Sequence, residues 1–215
     1  MLATYPEVFT GGGLIAGLPY GVARSMPAAF SRMRSRGHES DAQIAALVCK
    51  ASLHDGVWPT ISIWHGTADM TVNLSNADAT VAQWRGVHGL GDADVVEDLP
   101  GGHVHRVWHD ASGRACVEEY AIMRMGHGTP LDVAADGASE IGGAYLLDVG
   151  VSSTLHLAAF WGLAPAVVEN VPVSSVALTP VPKAAAMPTR VTTSFVRPDV
   201  QKIIEDALRS AGLMR

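Results

Sequence analysis

Two short stretches carry residues able to do chemistry together. One is Ile61-Ser62-Ile63-Trp64-His65-Gly66-Thr67-Ala68-Asp69, an apolar strand pattern that closes on a carboxylate. The other is Met125-Gly126-His127-Gly128-Thr129-Pro130, a histidine between two glycines. A carboxylate just past a strand can hold an imidazole in one tautomer and stabilise the imidazolium that forms when it takes a proton. Flanking glycines suit a tight turn that leaves the ring open to a cleft, as a general base needs. Acid before histidine is the tail of one known triad order, in which a serine on a Gly-x-Ser-x-Gly turn comes first. No Gly-x-Ser-x-Gly occurs in these 215 residues. Asp69 and His127 therefore predict the acid and base of an acyl-transfer site whose nucleophile would be encoded upstream of Met1.

Each reading has a plainer rival. An aspartate is at home in any polar turn, and a lone loop histidine commonly has no chemical role. Gly150-Val151-Ser152-Ser153-Thr154 imitates a nucleophile turn but lacks its second glycine, and a helix cap explains Ser152 and Ser153 better. His103, His105 and His109 are separated by even numbers of residues, so a strand would aim them at one face where zinc could bind. A solvated strand face is the expectation there. Trp64, Trp84, Trp108 and Trp161 are expected in the core. Tyr20, in the turn Leu18-Pro19-Tyr20-Gly21, is the one aromatic placed near the cleft.

The elements that must position these residues follow from periodicity. Met1 to Phe9 reads as a closing helical turn, and Gly11 to Leu18 as a short, fully buried strand. Helices are predicted over Met26–Arg34, Asp41–Leu53 and Ala77–Val87, the last capped by Asn76 and stopped by Gly89. Strands are predicted at Thr60–Trp64, Val104–His109 and Ala115–Met123, the last two joined by a hairpin at Asp110–Arg114. A chain that opens on a closing helical turn and a core strand reads as lacking an N-terminal half. Gly12–Leu18 should then keep one unpaired edge, a surface open to self-association.

Composition bounds the rest. A hydrophobic fraction of 48% with 17% charged residues indicates a packed core. A net charge of -6 offers no basic stripe, so no nucleic-acid partner is expected. No apolar run reaches membrane-spanning length, and no secretory signal pattern is present. Cys49 and Cys116 are expected as buried free thiols. The partial domain is assigned to 1–163, a Pro/Ala/Val-rich linker to 164–197 and an amphipathic helix to 198–213.

Taken in order, Met1-Leu-Ala-Thr-Tyr-Pro-Glu-Val-Phe9, Gly17-Leu-Pro-Tyr-Gly21, Trp64-His-Gly-Thr-Ala-Asp69, Gln83-Trp84, Met125-Gly-His-Gly128 and Leu147-Asp-Val-Gly-Val-Ser-Ser-Thr154 resemble the C-terminal part of the poly(3-hydroxybutyrate) depolymerase-like esterases, relatives of feruloyl and acetylxylan esterases. The resemblance runs from Met1 to about Leu163. It implies the second half of an α/β-hydrolase fold, a mostly parallel sheet flanked by helices. It also implies hydrolysis of small-molecule or polymeric esters, no cofactor and an extracellular location. Asp69 and His127 would be triad acid and base. Val22 stands where the family usually has a cysteine, and the tail after Ala164 has no family counterpart. Without the serine segment and the oxyanion loop, this chain alone should be inactive. The alternatives are a degenerate, non-catalytic binding module and, behind it, the histidine metal site.

Overall fold

The computed structural model describes residues 1–34, 39–134 and 140–167. The predicted linker, apart from 164–167, and the whole of the predicted terminal helix lie outside the described residues.

Among the described residues, seven strands and four α-helices follow in the order β1 (Gly11–Ile15), α1 (Met26–Arg34), α2 (Asp41–Cys49), β2 (Thr60–Gly66), α3 (Ser75–His88), β3 (Val95–Leu99), β4 (His103–His109), β5 (Ala115–Ile122), β6 (Thr129–Leu131), β7 (Leu146–Asp148) and α4 (Ser153–Phe160). Five strands form one sheet in the order β1-β2-β5-β4-β3. β1 and β5 run parallel to β2, whereas β4 and β3 continue antiparallel from β5. β6 and β7 make a separate parallel pair. Because β1, β2 and β5 point the same way, the segments leaving all three emerge at one edge of the sheet. That carboxyl edge is where open α/β sheets gather ligands.

The core explains why β2 and β5 are central. Alternate residues of β2 point to opposite faces. Ile61 and Ile63 pack with Val48, Ala77, Val81 and Trp84 on the face covered by α2 and α3. Trp64, on the other face, packs with Tyr120, Ile122, Met125 and Val151. Trp64 and Tyr120 stack with centroids 3.7 Å apart. Both faces of β2 are buried, which is why it reads as a nearly continuous apolar run.

Several expectations need correction. The first strand ends at Ile15 and is only partly buried, because it is the sheet's edge and β2 is its one partner among the described residues. α2 stops at Cys49, and Cys49 is exposed rather than buried; Cys116 is buried and both are free thiols. Asn76 lies inside α3 instead of capping it. Its amide donates to the carbonyls of Asn73 and Arg32, tying α3 to the end of α1. Gly89 stops α3 as expected, in the left-handed region at φ +67°. Trp64, Trp84 and Trp108 are core residues, but Trp161 is only half-buried. Residues 1–9 form hydrogen-bonded turns, the first closed by the helical-type bond from Tyr5 N to Met1 O at 2.8 Å, as a final helical turn would be.

The candidate active site at the carboxyl edge

Asp69 sits three residues past β2 and His127 five residues past β5, and these two strands are neighbours in the sheet. The two side chains meet: Asp69 Oδ2 is 2.9 Å from His127 Nδ1. Asp69 Oδ1 accepts the backbone N–H groups of Thr71 (2.8 Å) and Val72 (2.9 Å), an Asx turn that fixes the carboxylate. The Asp69 side chain is fully buried, while that of His127 keeps 29% of its surface open. Burial alone would raise the Asp69 carboxyl. The bond to His127, the Val72 and Thr71 amides and the field of His127 outweigh it, and hold the group below its ordinary value. An ionised carboxylate can only accept, so Nδ1 carries the proton of that bond and Nε2 is the nitrogen left for chemistry.

The motif around Asp69 accounts for how two loops 58 residues apart are held together. A Cβ on Gly66 would lie 2.2 Å from the Met125 carbonyl oxygen, so only glycine permits this approach. Thr67 N donates to Ile122 O at 2.9 Å, and Ala68 N to Met125 O at 3.0 Å. Thr67 Oγ1 accepts Arg124 N at 2.8 Å. His65, fully buried, places Nε2 2.9 Å from Val72 O. From the other side His103 Nδ1 accepts Met123 N at 3.0 Å.

The tight turn before His127 is made at Arg124, whose φ of +58° lies in the left-handed region, and not at the flanking glycines. Nothing crowds a Cβ at Gly126. Gly128 is constrained by packing instead, with the Tyr145 carbonyl oxygen 2.7 Å from a Cβ built there. That carbonyl accepts Thr129 N, and the Tyr145 ring stands edge-on to His127 with centroids 6.3 Å apart. No spacing in the sequence singles out Tyr145; the fold alone brings it to the site.

Tyr20 follows β1 at the same sheet edge and is 37% exposed. Its backbone is fixed by Gln83, which is fully buried. Tyr20 N donates to Gln83 Oε1 at 2.8 Å, and Gln83 Nε2 donates to the carbonyls of Tyr20 (3.0 Å) and Ile44 (2.8 Å). This explains a glutamine in the Gln83-Trp84 pair, but it fixes the loop rather than placing the Tyr20 ring against His127.

The other candidates are engaged elsewhere. Ser152 Oγ donates to Glu140 Oε1 and accepts Leu155 N as the α4 cap, and Ser153 Oγ donates to Pro130 O. Both serines are buried. His103, His105 and His109 take separate partners: Met123 N and Val149 O; Glu97 and Glu118; and Asp94. Among the described residues no three histidine, cysteine or carboxylate side chains gather as a metal site would need.

Comparison with known proteins places the chain among esterase-like sequences. Residues 1–100 match the family described as Esterase PHB depolymerase. The chain is 43% identical over 166 residues to poly(3-hydroxyalkanoate) depolymerase C of Paucimonas lemoignei, covering 76% of this chain and 40% of that protein. It is 28% identical over 142 residues to feruloyl esterase B of Talaromyces stipitatus, covering 62% of this chain and 39% of that protein. The chain thus spans about two-fifths of the length of these curated relatives. The solved structure of an acetyl xylan esterase from Aspergillus awamori superposes with a TM-score of 0.53 at 23% identity, over 59% of this chain and 48% of that one. That likeness is one of fold, and it agrees with the α/β-hydrolase class expected from the sequence.

Proposed function

From the match of residues 1–100 to the esterase PHB depolymerase family, we propose that the chain supplies the acid and base of a serine carboxylic-ester hydrolase. Its substrates are small-molecule or polymeric esters of the polyhydroxybutyrate type. The observation that carries this reading is the 2.9 Å bond between the buried Asp69 carboxylate and the half-open His127 ring.

The mechanism follows from which nitrogen is free. A serine hydroxyl attacks the ester carbonyl while His127 Nε2 takes its proton. Asp69 keeps Nδ1 protonated and stabilises the imidazolium. The proton then passes to the leaving alcohol, and a water molecule, activated by the same nitrogen, releases the acyl group. The serine is not among these residues in a Gly-x-Ser-x-Gly turn. Ser152 and Ser153 are committed to structural bonds, which supports the view that neither replaces it. Without that serine the covalent route is closed, so these 215 residues alone are inactive.

The test uses the chain itself, with a short p-nitrophenyl ester and a fluorophosphonate probe. No turnover above buffer and no labelled serine are expected; stoichiometric labelling of any serine overturns the inactive reading. In proton NMR, a downfield Nδ1–H signal of His127 that disappears in Asp69→Asn supports the pair. Its absence from the parent chain counts against it.

Two further proposals accompany this one. The β1 edge, unpaired among the described residues, is a surface for self-association; a sedimentation coefficient that does not change with protein concentration would refute it. The family resemblance also supports an extracellular location, to be checked by comparing culture supernatant with cells.

A further inference from the structure

His65 has no place in the proton transfer, yet it is among the most deeply buried polar residues of the chain, at 1% exposure. A buried imidazole in a core strand needs a polar partner. Here Nε2 lies 2.9 Å from Val72 O and 3.5 Å from Asp69 Oδ2. A carbonyl only accepts, so Nε2 carries a hydrogen directed at Val72 O, with the Asp69 carboxylate alongside. Val72 is also the residue whose N–H holds Asp69 Oδ1. One peptide segment is therefore gripped on both sides, its carbonyl by His65 and its amide by the acid. Without His65 the hydrogen bonds holding the turn 69–72 would be those within it, Asp69 N to Gly66 O at 3.2 Å and Asp69 to His127, and none of these holds the Val72 carbonyl.

We infer that His65 is a positioning residue for the acid–base pair: its buried Nε2–H fixes the Asp69–Val72 turn from within β2, so that Oδ2 stays aimed at His127. This rests on the pairing proposed above, and it adds a role for the first polar residue of Trp64-His65-Gly66-Thr67-Ala68-Asp69. Glu119 on β5, held by Arg106 at 2.6 Å, is a charged group close enough to interact with His65. Glu119→Gln is thus the control for a purely electrostatic effect.

The experiment reads the histidines directly in the 215-residue chain. Nitrogen-15 NMR of the parent should show His65 protonated at Nε2; a neutral ring protonated only at Nδ1 would overturn the inference with no variant needed. Next, the downfield Nδ1–H signal of His127 is followed in the parent, Asp69→Asn, His65→Leu and His65→Gln. In His65→Leu the signal should broaden or vanish, as in Asp69→Asn. His65→Gln, which keeps a donor, should restore much of it. A core histidine with no positioning role would leave it unchanged. If His65→Leu is folded and keeps the parent signal while Asp69→Asn loses it, the inference fails and the pair stands. If Asp69→Asn keeps the signal, the pair itself fails. Should His65→Leu not fold, the tautomer of the parent decides the matter.

Discussion

Gly66→Ala is the sharpest test of how the site is assembled. The added Cβ would meet the Met125 carbonyl oxygen at 2.2 Å, and Gly126 O and Met125 C at 2.7 Å, all of them backbone atoms. Relief requires moving the peptide from 2.2 Å out to the 3.4 Å at which ordinary contact begins. Such overpacking costs about 1–3 kcal/mol. The same displacement stretches the Thr67–Ile122 and Ala68–Met125 backbone bonds, each contributing roughly 0.5–1.5 kcal/mol. A loss of about 4 kcal/mol is expected, which lowers the urea midpoint by about 2 M at a typical slope of roughly 2 kcal/mol per molar. The His127 downfield proton should be lost with it, since the acid and base loops part. Gly126→Ala is the matched control one residue before His127. Nothing lies within 4 Å of its Cβ and its φ is not positive, so its midpoint should stay within about 0.5 kcal/mol of the parent or rise slightly. Equal midpoints for Gly66→Ala and the parent would refute the claim that close backbone approach joins the two loops.

Other outcomes follow from the same contacts. Gln83→Ala leaves Tyr20 N–H and the carbonyls of Tyr20 and Ile44 without their partner; urea unfolding should show a loss of roughly 2–5 kcal/mol. The His156 ring, whose Nδ1 lies 3.1 Å from Tyr120 Oη, is pushed down to about 4 by burial and by the nearby His105. The unfolded chain then binds more protons than the folded one, so stability should fall as pH drops from about 6.5, the unperturbed histidine value, towards 4. In His156→Phe that slope should flatten. The His105 ring runs the other way. Burial opposes its charge, but the bonds to Glu118 and Glu97 prevail and raise its pKa. Its contribution is complete below the unperturbed value and fades as pH rises through the folded one, and Glu118→Gln, which leaves Glu97 in place, should reduce that alkaline loss in pH-dependent melting curves.

Residues 26–34, the stop at Gly89 and the hairpin at Asp110–Arg114 were legible because local interactions decide them: helical periodicity, a left-handed stop and a turn whose Asp110 Oδ1 accepts Ser112 N and Arg114 N. Asp69 and His127 were legible for a related reason, since each stands just past a strongly patterned apolar strand. Strand Val95–Leu99 was missed. It lies at the far edge of the sheet with Val96, Glu97 and Asp98 exposed, so it shows no clean alternation of buried and open positions. The short pair Thr129–Leu131 and Leu146–Asp148 gave no signal because its partners lie about 17 residues apart and neither strand exceeds three residues. The amphipathic helix predicted over 198–213 lies outside the described residues.

Residue type and order alone determined that a carboxylate and an imidazole follow two core strands, and that the resemblance carried by those motifs is to esterases. Only the tertiary structure decided that the two strands are neighbours, that Gly66 admits the Met125 carbonyl, that Arg124 rather than a glycine makes the turn, and that His65 grips Val72. Those contacts join positions that are distant in the chain or fixed by backbone geometry. Spacing constrains a residue's own helix or strand, whereas the pairing of one element with another is settled by burying apolar faces together.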